Sequence, residues 1–280
     1  MILFILTFLT SLVERITASS DSLYQLCNSL SGRSWLLDNL IALPLDNQLV
    51  KAAIIGGCFL AVWHGGKDDA AIQRNRRILL VTLIASVFVI ATTKTLSKTV
   101  FLPRPFIQSQ KAFHLAGEQL VESHRLAYHV PMDAENQKAY QGLLKGEVIQ
   151  NDLGSFPSDH AGFYVTLAVG ILLASRAIGL LAVAWTLLVL LGSRVITGQH
   201  SPLDIIAGAG IGIVILLLCQ LVLGKWLRRL IDPIVNWTLR HQAIATGLVF
   251  IAVFEAANTL QNLRPLLKTG VAIAKHFVKG

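Results

Sequence analysis

An all-α, polytopic bundle of about six transmembrane helices is the fold this sequence predicts, and three observations carry it. Hydrophobic residues fill 54% of the 280 positions and charged residues only 14%, against about 25% charged in a soluble domain. Six apolar runs, over 48–64, 79–97, 161–176, 178–197, 203–223 and 243–259, are long enough, or nearly so, to cross a hydrocarbon layer of roughly 30 Å. Lys and Arg, whose excess gives a net charge of +8, flank those runs and do not gather into a nucleic-acid face. Backbone groups in lipid must be satisfied inside their own segment, so the runs read as helices. An ordinary soluble enzyme and a nucleic-acid partner are excluded, and the bilayer itself is the expected partner.

Residues 1–46 come first. The opening MILFILTFLTSLV is short for a span and has neither the basic start nor the small-residue cleavage site of a signal peptide. It reads as an N-terminal anchor or interfacial segment. The membrane domain occupies 47–259, and its orientation follows from three basic connections: Lys67, Arg74, Arg76 and Arg77; Arg176; and Lys225, Arg228, Arg229 and Arg240. These are expected to be cytoplasmic.

The long 106–156 connection and its flanks balance six cations against seven anions, as expected of an extracytoplasmic loop. Within it, residues 133–148 place Tyr140, Leu143 and Leu144 at helical spacing, which predicts a short amphipathic helix, with or without a function. Gly208 and Gly212 lie inside an apolar run and follow no strand, so they predict a close helix contact and not a nucleotide loop. Residues 226–240 read as an interfacial helix with Trp226 and Trp237 at headgroup depth. Residues 260–280 form a basic amphipathic tail, which lies outside if the last run crosses. Cys27, Cys58 and Cys219 have no spacing that suggests a disulfide framework or a zinc site.

Ionisable residues at membrane depth are costly, so their clustering at one end of several runs points to function. Three clusters fall on the same side: KTVFLPRPF (98–106), FPSDHAG (156–162) and SRVITGQHSPLD (193–204). Lys98, Arg104 and Arg194 bring three cations together, and a guanidinium fork matches phosphate oxygens. The Pro157-Ser158-Asp159-His160 segment opens a helix, whose free N–H groups add positive potential. His200 is the better nucleophile candidate, with Asp204 one turn on to hold its tautomer, and His160 is left as the general acid. Singly, each residue reads as a packing or snorkelling group; together they describe a phosphoryl-transfer site.

On these residues the chain resembles the type 2 phosphatidic acid phosphatase superfamily. That signature reads Lys, six residues, Arg-Pro; then Pro-Ser-Gly-His; then Ser-Arg, five residues, His, three residues, Asp. Ser193-Arg194, His200 and Asp204 match the third block at every fixed position. Pro157, Ser158 and His160 match the second, with Asp159 where glycine is usual. Arg104-Pro105 ends the first, but Ser97 stands at the lysine position, so Lys98 is the expected phosphate-binding lysine and Lys94 the reserve.

The resemblance implies a membrane phosphatase with an extracytoplasmic site, needing neither a metal nor another cofactor. His200 would form a phosphohistidine, Asp204 would support it and His160 would protonate the leaving oxygen. Lys98, Arg104, Ser158 and Arg194 would hold phosphate oxygens, joined by the backbone N–H of Asp159. The Asp159 carboxylate would keep His160 protonated or simply face water. Resemblance to bacterial members favours undecaprenyl diphosphate in an inner membrane, with phosphatidic acid and phosphatidylglycerophosphate as alternatives. A lipid phosphotransferase using the same histidine, or a non-catalytic lipid-phosphate transporter, are the competing readings.

Overall fold

The computed structural model describes residues 2–31, 33–99, 102, 104, 105, 113–116, 119–122, 154–222 and 224–257. Nine helices are described: α1 (Ile2–Asn28), α2 (Trp35–Asp46), α3 (Gln48–His64), α4 (Asp69–Thr99), α5 (Asp159–Ala174), α6 (Arg176–Ile196), α7 (Pro202–Leu221), α8 (Gly224–Arg240) and α9 (Gln242–Ala257). The predicted loop helix over 133–148 and the tail from 258 lie outside the described residues. Within the long loop, Phe113–Ala116 and Gln119–Glu122 pair as an antiparallel hairpin, with Phe113 opposite Glu122. The described residues are therefore all-α except for this ribbon, which the sequence does not predict.

Three of these helices, α4, α6 and α7, are long and apolar enough to cross a membrane. A fourth span exists if the bent pair α2 and α3, which meet at 63°, counts as one. Six spans are not reached among the described residues by length and composition: α5 and α9 are apolar but have 16 residues each, or about 24 Å of helix at 1.5 Å per residue. The bend follows from Asn47, whose side chain accepts the Val50 N–H at 3.1 Å and starts α3 afresh.

α5 is the centre of the bundle, packed by α3, α4, α6 and α7. Its residues 161–168 are all buried, which explains why it reads as apolar all round and not as an amphipathic stripe. Phe163, Tyr164, Leu167 and Ile171 form one core with Ile55, Phe59, Val62 and Trp63 of α3. At the end of α4 nearest the α3–α4 turn, the buried Arg76 donates to the Trp63 carbonyl and to Thr238 Oγ1, and its guanidinium lies 4.9 Å from the Trp63 ring centre. Arg77 pairs with Asp232 at 2.7 Å. These contacts fasten α8 to α3 and α4, with Ile231 and Val235 buried and Trp237 on the surface.

The glycine contact between α5 and α7 is closer than any side chain would allow. A β-carbon at Gly208 would lie 2.1 Å from the Ser158 carbonyl oxygen, and one at Gly212 would lie 2.5 Å from the Gly162 carbonyl oxygen. Both obstacles are backbone, so the helices themselves would have to separate. Gly208→Ala is expected to lower stability by about 1–3 kcal/mol, read as an earlier thermal loss of helical circular dichroism in detergent. An unchanged melt would show that α5 and α7 can move apart freely.

Candidate active site

Two helix starts build the site. Ser158 caps α5, its hydroxyl accepting the Ala161 N–H at 3.2 Å, and is itself fully buried. Ser201 caps α7 in a reciprocal arrangement: its hydroxyl accepts the Asp204 N–H, and the Asp204 carboxylate accepts the Ser201 N–H at 2.6 Å. The starts are tied directly, because the Ser158 N–H donates to the Asp204 carbonyl at 3.1 Å. Between α6 and α7 the chain turns back through Gly198, at φ 73°, so that the Gln199 and His200 N–H groups both donate to the Arg194 carbonyl.

That turn delivers His200, only 3% exposed, to the inside. Its Nδ1 lies 3.0 Å from the Ser155 carbonyl oxygen. A carbonyl only accepts, so Nδ1 carries the proton and Nε2 keeps its lone pair. Asp204 stands 3.9 Å from the same Nδ1, close enough to interact by charge but with its hydrogen-bonding geometry directed at the cap. Ser155 is held in turn by its N–H and hydroxyl, both donating to the Leu102 carbonyl.

His160, partly exposed, is oriented by its neighbour: Nδ1 lies 2.7 Å from Asp159 Oδ1, so Asp159 faces His160. Asp159, His160 and His200 each offer a ligating atom, all within 4.8 Å of one another. A metal ion could use that spacing too. Arg104 and Arg194, however, both act electrostatically on His200, and two guanidinium groups favour an anion over a cation. Arg194 is buried at the end of α6, and Arg104 is held by a hydrogen bond to the Gln199 side-chain oxygen.

Seven of the expected residues thus converge: Arg104, Ser158, Asp159, His160, Arg194, His200 and Asp204. Lys98 does not join them and is exposed at the end of α4, while Lys94 is half-buried. The α4 row that meets α5 contains Val89 and Thr93, both close to Gly162. Ser97 continues that row one turn further, and Lys94 and Lys98 are each about 100° round from it.

Several contributors escaped the sequence reading. The Ser155 carbonyl and the Gln199 side chain are two. A third is α1, which packs on α6 and α7: Asn28 donates to the Ile196 carbonyl at 2.7 Å, and Ser20 accepts the Leu203 N–H at 3.2 Å. A cavity of about 380 Å³ lies between α1 and the site, lined among others by Ser20, Asp21, Tyr24, Ser155 and Asp204. The signal was present in Thr17, Ser20, Asp21, Tyr24, Gln25 and Asn28, a polar row at helical spacing.

A family model described as the PAP2 superfamily matches residues 76–228, more than half of the chain. The chain belongs to the PAP2 superfamily. The matched segment contains every member of the converging set, and PAP2 proteins are in general phosphatases acting on phosphoesters. No curated protein and no solved structure matches the chain.

Burial pushes His200 well below its ordinary value of 6.5, and Arg104, Arg194 and His160 push the same way against Asp159. The imidazole therefore stays neutral, with its Nε2 lone pair free of a proton, below pH 6.5. In the unfolded chain the same group takes up a proton near 6.5, so its contribution makes the folded state lose stability as pH falls through that value. The acid limb of kcat/KM assigned to His200 is expected below pH 6.5 in a pH–rate profile. A limb at or above that value would contradict a desolvated, neutral nucleophile.

Proposed function

We propose that this protein is an integral membrane phosphatase that removes the terminal phosphate of a lipid phosphate or diphosphate through a phosphohistidine on His200. The observation that carries the reading is the juxtaposition of two histidines within reach of one phosphate, each with Nδ1 hydrogen-bonded, beside two arginines. In the first step His200 Nε2 attacks phosphorus, the bond to the lipid oxygen breaks, and that oxygen takes a proton from His160 Nε2. In the second, His160 receives a proton from water as the oxygen attacks phosphorus and the N–P bond breaks. Arg104, Arg194 and the N–H groups at the start of α5 hold the phosphate oxygens.

The site lies at the end of the bundle opposite the basic connections, which supports an extracytoplasmic site in a bacterial inner membrane. A lipid phosphate, anchored by its tail among apolar helices, is the substrate class this placement suits. Undecaprenyl diphosphate is the first candidate, followed by phosphatidic acid and phosphatidylglycerophosphate.

Detergent-solubilised protein in EDTA is expected to release phosphate from at least one of these three lipids. His200→Ala should lower that release by on the order of 10³-fold or more while the protein stays folded. Release that needs added metal, or that survives in the variant, would overturn the mechanism. Release only in the presence of a lipid acceptor would move the reading to phosphotransfer.

A further inference from the structure

Asp159 stands where glycine is usual in the second motif, so this chain adds a carboxylate to its two histidines. The start of α5 places that carboxylate. Its Oδ1 accepts the His160 N–H at 2.8 Å and lies 2.7 Å from His160 Nδ1, which holds it against the imidazole. Asp159, His160 and His200 then each offer one ligating atom, and the three atoms lie within 4.8 Å of one another.

A tetrahedral ion with bonds of about 2.0–2.2 Å keeps its ligand atoms roughly 3.3–3.6 Å apart, so a small rotation of side chains closes the set. That rotation falls to Asp159 and His160, whose side chains are 29% and 23% exposed, and the same exposure gives the ion its way in. His200 already has the posture of a metal-binding histidine. Its Nδ1 donates to the Ser155 carbonyl at 3.0 Å, which fixes the ring and leaves the Nε2 lone pair for a ligand.

The donors select the ion. Two imidazole nitrogens and one carboxylate oxygen suit Zn²⁺ and its first-row neighbours, whereas Mg²⁺ and Ca²⁺ take oxygen-only sets. Arg104 and Arg194 act on the same histidine and oppose a bare dication, but Asp159 and Asp204, the latter 3.9 Å from His200 Nδ1, offset them. Three protein ligands also leave the fourth tetrahedral place open. An anion there, hydroxide or chloride, answers the guanidinium groups much as a phosphate oxygen would.

We propose that Asp159, His160 and His200 form an inhibitory site for Zn²⁺, or a dication of the same nitrogen preference, with an anion as its fourth ligand. The ion takes the His200 Nε2 lone pair that attacks phosphorus, so metal and lipid phosphate exclude each other. The inhibition rests on the phosphatase reading above; the binding does not.

Full-length wild type, Asp159→Gly, His160→Ala and His200→Ala are stripped with EDTA and exchanged into buffer without it. They are compared for zinc bound per protein, for the visible absorption of Co²⁺ as a tetrahedral reporter, and for the shift in melting temperature that Zn²⁺ causes. Wild type is expected to hold one zinc, and each substitution to weaken it by about 100-fold or more, since losing a group that merely supports a ligand already costs about 10–100-fold. Phosphate release by wild type should fall on adding Zn²⁺, competitively with the lipid, and return with EDTA, while Mg²⁺ at the same concentration leaves it unchanged. Asp159→Gly, scored against its own metal-free rate, should resist Zn²⁺ by the factor by which it loses affinity.

Wild type that binds no zinc overturns the proposal. So does zinc that all three variants retain, which would put the ion elsewhere on the chain, and so does stimulation by Zn²⁺ or equal inhibition by Mg²⁺. If wild type releases no phosphate in EDTA, the phosphatase reading fails, and the bound zinc, the Co²⁺ absorption and the melting shift still decide the metal site.

Discussion

The hydrogen bond from the Ser158 N–H to the Asp204 carbonyl, at 3.1 Å, is the contact on which the site depends. It joins the start of α5 to the start of α7, and it forms only because Gly208 and Gly212 let the two backbones meet without an intervening side chain. Small residues are the general means of close approach between helices in lipid, where no hydrophobic force drives them together. Here the approach has a chemical result. Each helix start carries a serine cap and a histidine within two residues of it, so bringing the starts together brings the histidines together.

The electrostatics follow from that packing. Two guanidinium groups beside His200 and His160 are opposed by the Asp159 and Asp204 carboxylates inside an apolar bundle. Such charges interact far more strongly there than in water, and their desolvation is tolerated when a well-placed anion completes the set. A neutral His200 suits this arrangement. Burial is the first cause of the unprotonated imidazole, and the guanidinium groups placed to hold an anion reinforce it.

Much of this was legible in the residues. The i, i+4 spacing of His200 and Asp204, the Pro-Ser start of α5 and the Gly208/Gly212 pair each correspond to a local geometry, and local geometry is what sequence patterns encode. Contributions from the backbone were not legible. The Ser155 carbonyl orients His200 from 45 positions away, and every residue has a carbonyl, so nothing in the residue type marks it. Asp204 was expected to hold the imidazole directly; it stands 3.9 Å from Nδ1 while its Oδ2 accepts the Ser201 N–H of its own cap, a local bond that the same spacing permits. The number of spans was not legible from apolar runs alone: α5 is apolar all round because protein encloses it, and an enclosed helix and a crossing one look alike in sequence. The part of α1 beyond its apolar opening was passed over as an anchor, although its polar row packs against the site.

The central claim is that His200 Nε2 forms a bond to phosphorus. Rapid quenching of the protein during turnover of a ³²P-labelled lipid phosphate, followed by mapping of the label, tests it directly. The account predicts an acid-labile, alkali-stable phosphate on the peptide that contains His200, absent in His200→Ala and accumulating when His160 is replaced in a substrate with a good leaving group. Label on His160, or phosphate release with no covalent phosphate on the protein at any time, would contradict it.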